Sequence, residues 1–171
     1  MRSLIALTAL AIFGWSPVEA RPGIVVPSAV YSGYFVSNEF EPKVADSFVV
    51  IKDQAAFDRV FGVAAVMFDR SNRLPANAFR SNMVVAAIHR GHANVTYRDV
   101  HVTRDGTILR VSYTTKEQPS PLTEYASTLI LSVSRDNYSA VSFIENDKMV
   151  KSVPWLERKF KNISEAIFST K

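Results

Sequence analysis

Residues 83–88 read Met-Val-Val-Ala-Ala-Ile, a continuous apolar run between Asn82 and the pair Arg90-Gly91. The run is too short for a lone helix, and a strand that is apolar at every position is covered on both faces. We therefore predict that residues 83–88 form the central strand of a β-sheet, around which the rest of the chain is arranged.

The residues that follow predict two more antiparallel strands. Apolar and polar residues alternate over 95–97 and again over 100–102, with the parity shifted by one between the two stretches. Such a slip predicts a β-bulge near Arg98 or Asp99. Asp105-Gly106 then supplies residue types that adopt positive φ in a tight hairpin, and the alternation resumes in the next strand.

The amino terminus has the features of a secretory signal peptide. Met1-Arg2 is a short basic region, residues 4–15 are mostly apolar, and Val18-Glu19-Ala20 is a small-x-small cleavage site. We predict that residues 1–20 are a signal peptide and that the protein is periplasmic or secreted. After cleavage we expect no stable insertion into a membrane.

Composition limits what the remaining chain can do. Removing residues 1–20 from 171 leaves 151, the length of one ordinary domain. The chain has no cysteine, which excludes disulfides, thiolate metal sites and a cysteine nucleophile. Its net charge of +4 is scattered along the sequence, so we interpret it as a solvated surface and predict no nucleic-acid partner.

An extended segment, a strand and a helix are predicted before the central strand. Residues 21–46 contain three prolines, and the strand-like piece at 30–36 lies between prolines and contains a glycine, as edge strands do. Residues 47–51 predict a better strand. Asp53 suits an N-cap, and the apolar spacing after it predicts a short helix from Gln54 to Phe61.

Beyond the central hairpins the pattern predicts further strands and a closing helix. Residues 116–121 contain two prolines and predict a turn or crossover, and strands are predicted over 127–135, 141–143 and 149–153. Apolar residues at positions 156, 160, 163 and 167 predict an amphipathic helix, with Pro154 in its first turn.

The predicted fold class is α+β. An antiparallel sheet of about six to eight strands, curled or sandwich-like, would carry a short helix after the first core strand and a C-terminal amphipathic helix. The predicted regions are an extended N-terminal segment (21–46), a single β-rich domain (47–153) and a C-terminal helix packed on it (154–171).

Few residues in the sequence point to chemistry. His89, His92 and His101 are the clustered candidates for a zinc or copper site, but their spacing does not establish converging ligands. A nucleophile elbow and phosphate-binding glycine loops are absent from the sequence. We therefore predict a protein that is not an enzyme and has no cofactor, with small-molecule or metal binding by the three histidines as the alternative.

Three stretches resemble the C-terminal domain of the bacterial protease-complex subunit PrcB. They are the strand and helix at 48–61, the approach at 78–79 with the central strand ending in Gly91, and the strand at 141–144. The resemblance implies an exported accessory protein that associates with a protease and has no catalytic residues. Family members tend to have a Pro-Thr-Gly-Gly-Tyr-like loop after the central strand, where this chain retains only Gly91 and Tyr97.

The functional prediction combines these observations. We expect an exported accessory protein that binds another exported protein, with a protease as the partner implied by the resemblance. The contact is expected through a sheet edge or through the loop that contains Arg90, Gly91, His92 and Tyr97.

Overall fold

The structure, a computed structural model, describes residues 23–64 and 72–155. The predicted signal peptide (1–20) lies outside the described residues, and so do residues 156–171 of the predicted C-terminal helix. Both remain predictions. Within the described ranges, no helix is long and apolar enough to cross a membrane.

Eleven strands, one α-helix and one 3-10 helix (Ala78–Arg80) are formed by the described residues, and the strands lie in three sheets. Sheet A contains, in spatial order, β1 (Ile24–Val25), β7 (Ala93–Asp105), β8 (Ile108–Pro119), β10 (Ala140–Glu145) and β11 (Lys148–Pro154). Sheet B contains β2 (Ser28–Tyr31), β9 (Tyr125–Ser134), β6 (Asn82–Gly91) and β4 (Asp46–Ile51). Sheet C pairs β3 (Tyr34–Val36) with β5 (Phe61–Val63), and the helix α1 is Gln54–Val60.

The predicted central strand is β6, which lies between β4 and β9 and is antiparallel to both. Residues 83–88 are each at most 2% exposed. Alternate side chains of this run contact two different cores: Met83, Val85 and Ala87 pack towards sheet A, whereas Val84, Ala86 and Ile88 pack towards α1 and sheet C. The apolar run therefore separates two layers, as predicted for a strand covered on both faces.

Three local predictions are confirmed. Asp53 is the N-cap of α1 and accepts a hydrogen bond from the Ala56 amide at 2.8 Å, and the helix ends at Val60, one residue earlier than predicted. The register of β7 against β8 shifts between Arg98 and His101, and Asp99 has a φ of 49°, so the bulge is where the parity slip placed it. Gly106 turns the next hairpin with a φ of 59°.

The path between strands differs from that of the single antiparallel sheet predicted. The chain passes from sheet B to sheet A after β6, returns to sheet B after β8, and enters sheet A again after β9. As a result β10 pairs with β8 in parallel. The alternation of apolar residues has the same period in both kinds of pairing, so the sequence pattern could not distinguish them.

Other boundaries also need correction. The described residues contain more strands than the six to eight expected. The piece predicted at 30–36 divides into β2 and β3, which belong to different sheets, and the short strands β1 and β5 were not predicted. Residues 116–119 continue β8 instead of turning. Pro154 ends β11 opposite Ala140 and does not begin a helix.

Candidate protein-binding edge

Arg90, a predicted partner contact, is an internal anchor. Its Nη1 donates to the Val44 carbonyl at 3.1 Å and to the Ser47 hydroxyl at 2.9 Å, and its Nη2 donates to the Phe40 carbonyl at 2.9 Å. The guanidinium also lies 5.9 Å from the centroid of the Phe40 ring. Arg90 therefore holds the loop of residues 37–45, which we call the 37–45 loop, against the start of β4.

Of the other three predicted contact residues, Gly91 lines a cavity of ≈ 520 Å³ together with Arg90, whereas His92 and Tyr97 do not. Gly91 ends β6, and His92 is exposed, with its Nε2 3.9 Å from Glu124 Oε1. Tyr97 is half-buried between the sheets, where its hydroxyl donates to the Ser127 carbonyl at 3.4 Å and its ring meets Tyr113 edge to face. Burial raises the pKa of both tyrosines, and the nearby Glu145 carboxylate raises the pKa further.

The three histidines are each placed in a different setting. His89 Nδ1 lies 2.6 Å from Asp46 Oδ1, His92 lies beside Glu124, and His101 is exposed on β7 opposite Ser112. In residues 23–64 and 72–155, no group of three or more His, Asp or Glu residues is positioned to hold a metal ion. The described geometry therefore gives the metal-binding alternative no support.

A different feature is suited to binding, namely the edge of sheet B at β4, which among the described strands pairs only with β6. Edge strands are normally protected from pairing with other chains by shortness, lysines, prolines, bulges or inward-pointing charges. β1 has two residues, β2 has four and follows Pro27, and β11 carries two lysines, Pro154 and a bulge in its pairing with β10. β4 has six residues in unbroken register with β6 and contains no lysine or proline.

The direction of the backbone groups of β4 follows from one hydrogen bond. The Arg90 amide donates to the Ala45 carbonyl at 2.7 Å, so these two residues form a hydrogen-bonded pair. In an antiparallel ladder such pairs alternate with residues whose N–H and C=O groups point away from the partner strand. Asp46, Phe48 and Val50 therefore direct their backbone groups out of the sheet.

Nothing in the described chain pairs with these outward groups. Within residues 23–64 and 72–155, no backbone hydrogen bond outside the ladder with β6 involves Asp46, Phe48 or Val50. The 37–45 loop runs beside β4, but its backbone bonds go elsewhere: Ser37 donates to the Val60 carbonyl, and Val44 to Glu41. The outward N–H and C=O groups along β4 are therefore positioned to form hydrogen bonds with an additional strand.

Two grooves flank this edge. One, which we call the α1 groove, has a volume of ≈ 600 Å³ and lies between β4, the 37–45 loop and α1, with Phe40, Val49, Ile51, Ala56 and Val60 in its lining. The other, which we call the β11 groove, has a volume of ≈ 450 Å³ and lies between β4 and β11, with Glu41, Asp46, Phe48, Glu145, Val150 and Lys151 in its lining.

The piece at 30–36, predicted as an edge strand, does contribute to edges: β2 is the edge of sheet B opposite β4, and β3 is one of the two strands of sheet C. The sequence did not single out β4 as the longer edge without lysine or proline. The available signal was the run Phe48-Val49-Val50-Ile51 without lysine or proline. That signal is ambiguous, because an inner strand has the same apolar composition as an unprotected edge strand. Only the order of strands within the sheet shows which of the two a segment forms.

Known proteins give no additional guide to the role of this edge. Comparison of the chain with protein-family models, with curated proteins and with solved structures found no match.

Proposed function

We propose that this chain is an exported, non-catalytic accessory protein that binds an extended segment of a partner protein as an extra strand along β4. The observation that carries this proposal is the outward direction of the backbone groups of Asp46, Phe48 and Val50, with which no other described backbone group pairs. The signal-peptide pattern of residues 1–20 supports export, and the resemblance to the protease-complex subunit suggests an exported protease as the partner.

Strand addition fits the physical character of this edge. Each of the three outward residues offers one backbone donor and one acceptor, and each hydrogen bond contributes about 0.5–1.5 kcal/mol net. Main-chain bonds of this kind supply affinity whatever the side chains are, and adjoining pockets supply specificity. The α1 and β11 grooves provide such pockets on the two sides of β4.

The edge is also held in a defined position, so a partner would meet a preorganised surface. Arg90 fixes the 37–45 loop beside β4, and the Phe48 ring packs against Phe143 at a centroid distance of 5.0 Å. Preorganisation lowers the ordering cost of association. The buried face of β4 thereby supports the function of its exposed edge.

The proposal is tested by blocking one outward N–H with proline. The Val50 amide does not belong to the ladder with β6, so Val50→Pro should remove a donor from the edge while leaving the fold intact. Val50→Ala is the matched control, since it also loses side-chain packing but keeps the N–H. We expect in-cell crosslinking to recover a partner with the wild type and with Val50→Ala, and the recovery to fall at least about tenfold with Val50→Pro.

Crosslinked peptides identified by mass spectrometry should map to residues 46–51. Hydrogen exchange gives a second readout that does not depend on a variant. In the free protein the amides of Phe48 and Val50 should exchange faster than those of Val49 and Ile51, and the partner should slow them. Equal recovery by a folded Val50→Pro protein, no crosslinked partner at all, or slow exchange at Phe48 and Val50 in the free protein would each overturn the proposal.

A further inference from the structure

We infer that the strand accepted by β4 alternates apolar residues with basic ones; this inference rests on the proposed function and specifies the chemistry of the partner segment. Successive side chains of a strand point to opposite faces of the sheet. A strand added beside β4 therefore sends every second side chain to the face with the α1 groove and the others to the face with the β11 groove.

The side chains of β4 itself show which groove lies on which face. Val49 and Ile51 pack in the core that contains α1, and both line the α1 groove. Phe48 packs in the core beneath sheet A and lines the β11 groove together with Asp46. Because neighbouring residues on adjacent strands share a face, the incoming side chains would be sorted in the same way.

The α1 groove is suited to branched aliphatic side chains. Its apolar lining residues are Phe40, Val49, Ile51, Ala56 and Val60. A valine- or leucine-sized side chain that packs on them removes apolar surface from water, which favours binding. The charged lining residues Glu39, Asp58 and Arg59 are exposed, so their charged groups can stay in water beside an apolar occupant.

The β11 groove has the opposite character. It is lined by three carboxylates, from Glu41, Asp46 and Glu145, against one cation, Lys151. Glu145 is half-buried and accepts a hydrogen bond from the Thr115 hydroxyl at 2.9 Å, which fixes its position. A lysine or arginine side chain could lay its methylenes along Phe48 and Val150 and present its charge to the carboxylates.

Charge and shape together therefore favour one kind of segment. An acidic strand would place like charges in the β11 groove, which is unfavourable, whereas a basic one would bring the local charge closer to neutrality. A segment with apolar residues at every position would satisfy the α1 groove only. The best occupant alternates a basic residue with an aliphatic one over about five residues, the span set by the outward groups from Asp46 to Val50.

Synthetic fluorescent peptides test this inference with the protein purified after export. One peptide alternates lysine and valine, a second alternates glutamate and valine, and a third alternates lysine and serine. We expect fluorescence anisotropy to show the lysine–valine peptide binding at least about tenfold more tightly than either of the others. The advantage over the glutamate–valine peptide should shrink at 0.5 M salt, because partly exposed charges are screened.

Removing a negative charge or a positive charge from the β11 groove should change the affinity for the lysine–valine peptide in opposite directions. Glu41→Gln should weaken binding of the lysine–valine peptide about two- to fivefold, and Lys151→Gln should strengthen it by a similar factor. Asp147→Asn is the matched control, since it removes the same charge as Glu41→Gln from an exposed turn residue that does not line the groove. The control should change the affinity less than about twofold.

The possible results separate this inference from the proposal on which it rests. If all three peptides bind equally and Val50→Pro abolishes binding, strand addition holds and the basic–apolar preference is wrong. If the lysine–valine peptide does not bind, the inference also fails, whereas the in-cell crosslinking still decides strand addition. If it binds equally well to Val50→Pro, the attraction is a general one to an acidic surface, and the inference is overturned.

Discussion

β4 of sheet B and β11 of sheet A are both edge strands, and they lie on the two sides of the β11 groove, yet they are built differently. β11 contains Lys148 and Lys151, ends in Pro154, and pairs with β10 through a bulge. β4 has an unbroken register and, after Asp46, only uncharged residues. One edge is protected against further pairing, and its neighbour is not.

The position of Lys151 makes this contrast sharper. Lys151 lies opposite Phe143, whose side chain is fully buried between the sheets, so both side chains leave the sheet on the same face. A lysine that starts from the inner face of an edge strand must reach back to water, and it obstructs any strand that approaches. β4 has none of these features, so its outward backbone groups are accessible to a strand that approaches, as the proposed function requires.

The largest expected effect is a difference between β4 and β11 in how much their side chains contribute to the free energy of unfolding. Phe48→Ala on β4 removes a half-buried ring that packs on Phe143, and we expect the free energy of unfolding to fall by about 2–3 kcal/mol. Met149→Ala on β11 removes a side chain that is 68% exposed, and the change should stay within about 0.5 kcal/mol. Urea denaturation of both variants measures the difference, and equal losses would contradict it.

An intermediate effect is expected at the anchor of the 37–45 loop. Arg90→Ala removes hydrogen bonds to Val44, Phe40 and Ser47 and leaves the buried Ser47 hydroxyl without this donor, so stability should fall by about 1–3 kcal/mol. Hydrogen exchange should accelerate across the 37–45 loop and remain unchanged in β11. Arg90→Lys should be little more stable than Arg90→Ala, because an ammonium group cannot donate hydrogen bonds in the planar, forked geometry of a guanidinium. Full recovery by lysine would argue against the anchoring geometry.

The smallest effect on stability is expected for a substitution on β11, the protected edge. The same substitution should have a clear effect on self-association. Lys151→Val should change the free energy of unfolding by less than about 0.5 kcal/mol, because the residue is exposed. It should also shift self-association to lower protein concentration, as measured by sedimentation velocity, because the edge loses its inner-face charge. An unchanged sedimentation profile would mean that the bulge and Pro154 suffice to protect β11.

Local features of the fold could be predicted because short stretches of chain decide them. The N-cap at Asp53, the bulge at Asp99 and the turn at Gly106 depend on backbone preferences and hydrogen bonds within a few residues. Other positions resisted prediction for the opposite reason. Pro154 suits a first helical turn as well as the end of an edge strand, and its place in β11 depends on pairing with Ala140, which is distant in the chain.

The candidate site follows the same division. The sequence predicted a partner contact at Arg90, Gly91, His92 and Tyr97 because they lie at or after the end of the central strand. In the structure Arg90 instead donates to the Phe40 carbonyl, and the Tyr97 ring packs on Tyr113 between the sheets. Both contacts join residues that are distant in the sequence. The charge of the β11 groove was equally hidden, because Glu41, Asp46 and Glu145 come from separate parts of the chain.

Residues 83–88 could be recognised from their order in the chain alone as a strand buried on both faces, since an apolar residue at every position leaves no face for water. That β4 lies at an edge beside β11, and that β10 runs parallel to β8, became known from the three-dimensional arrangement of the strands. Side-chain alternation fixes which face of a strand is buried, whereas the order and direction of strands depend on pairings between distant residues, which the same alternation allows in several arrangements.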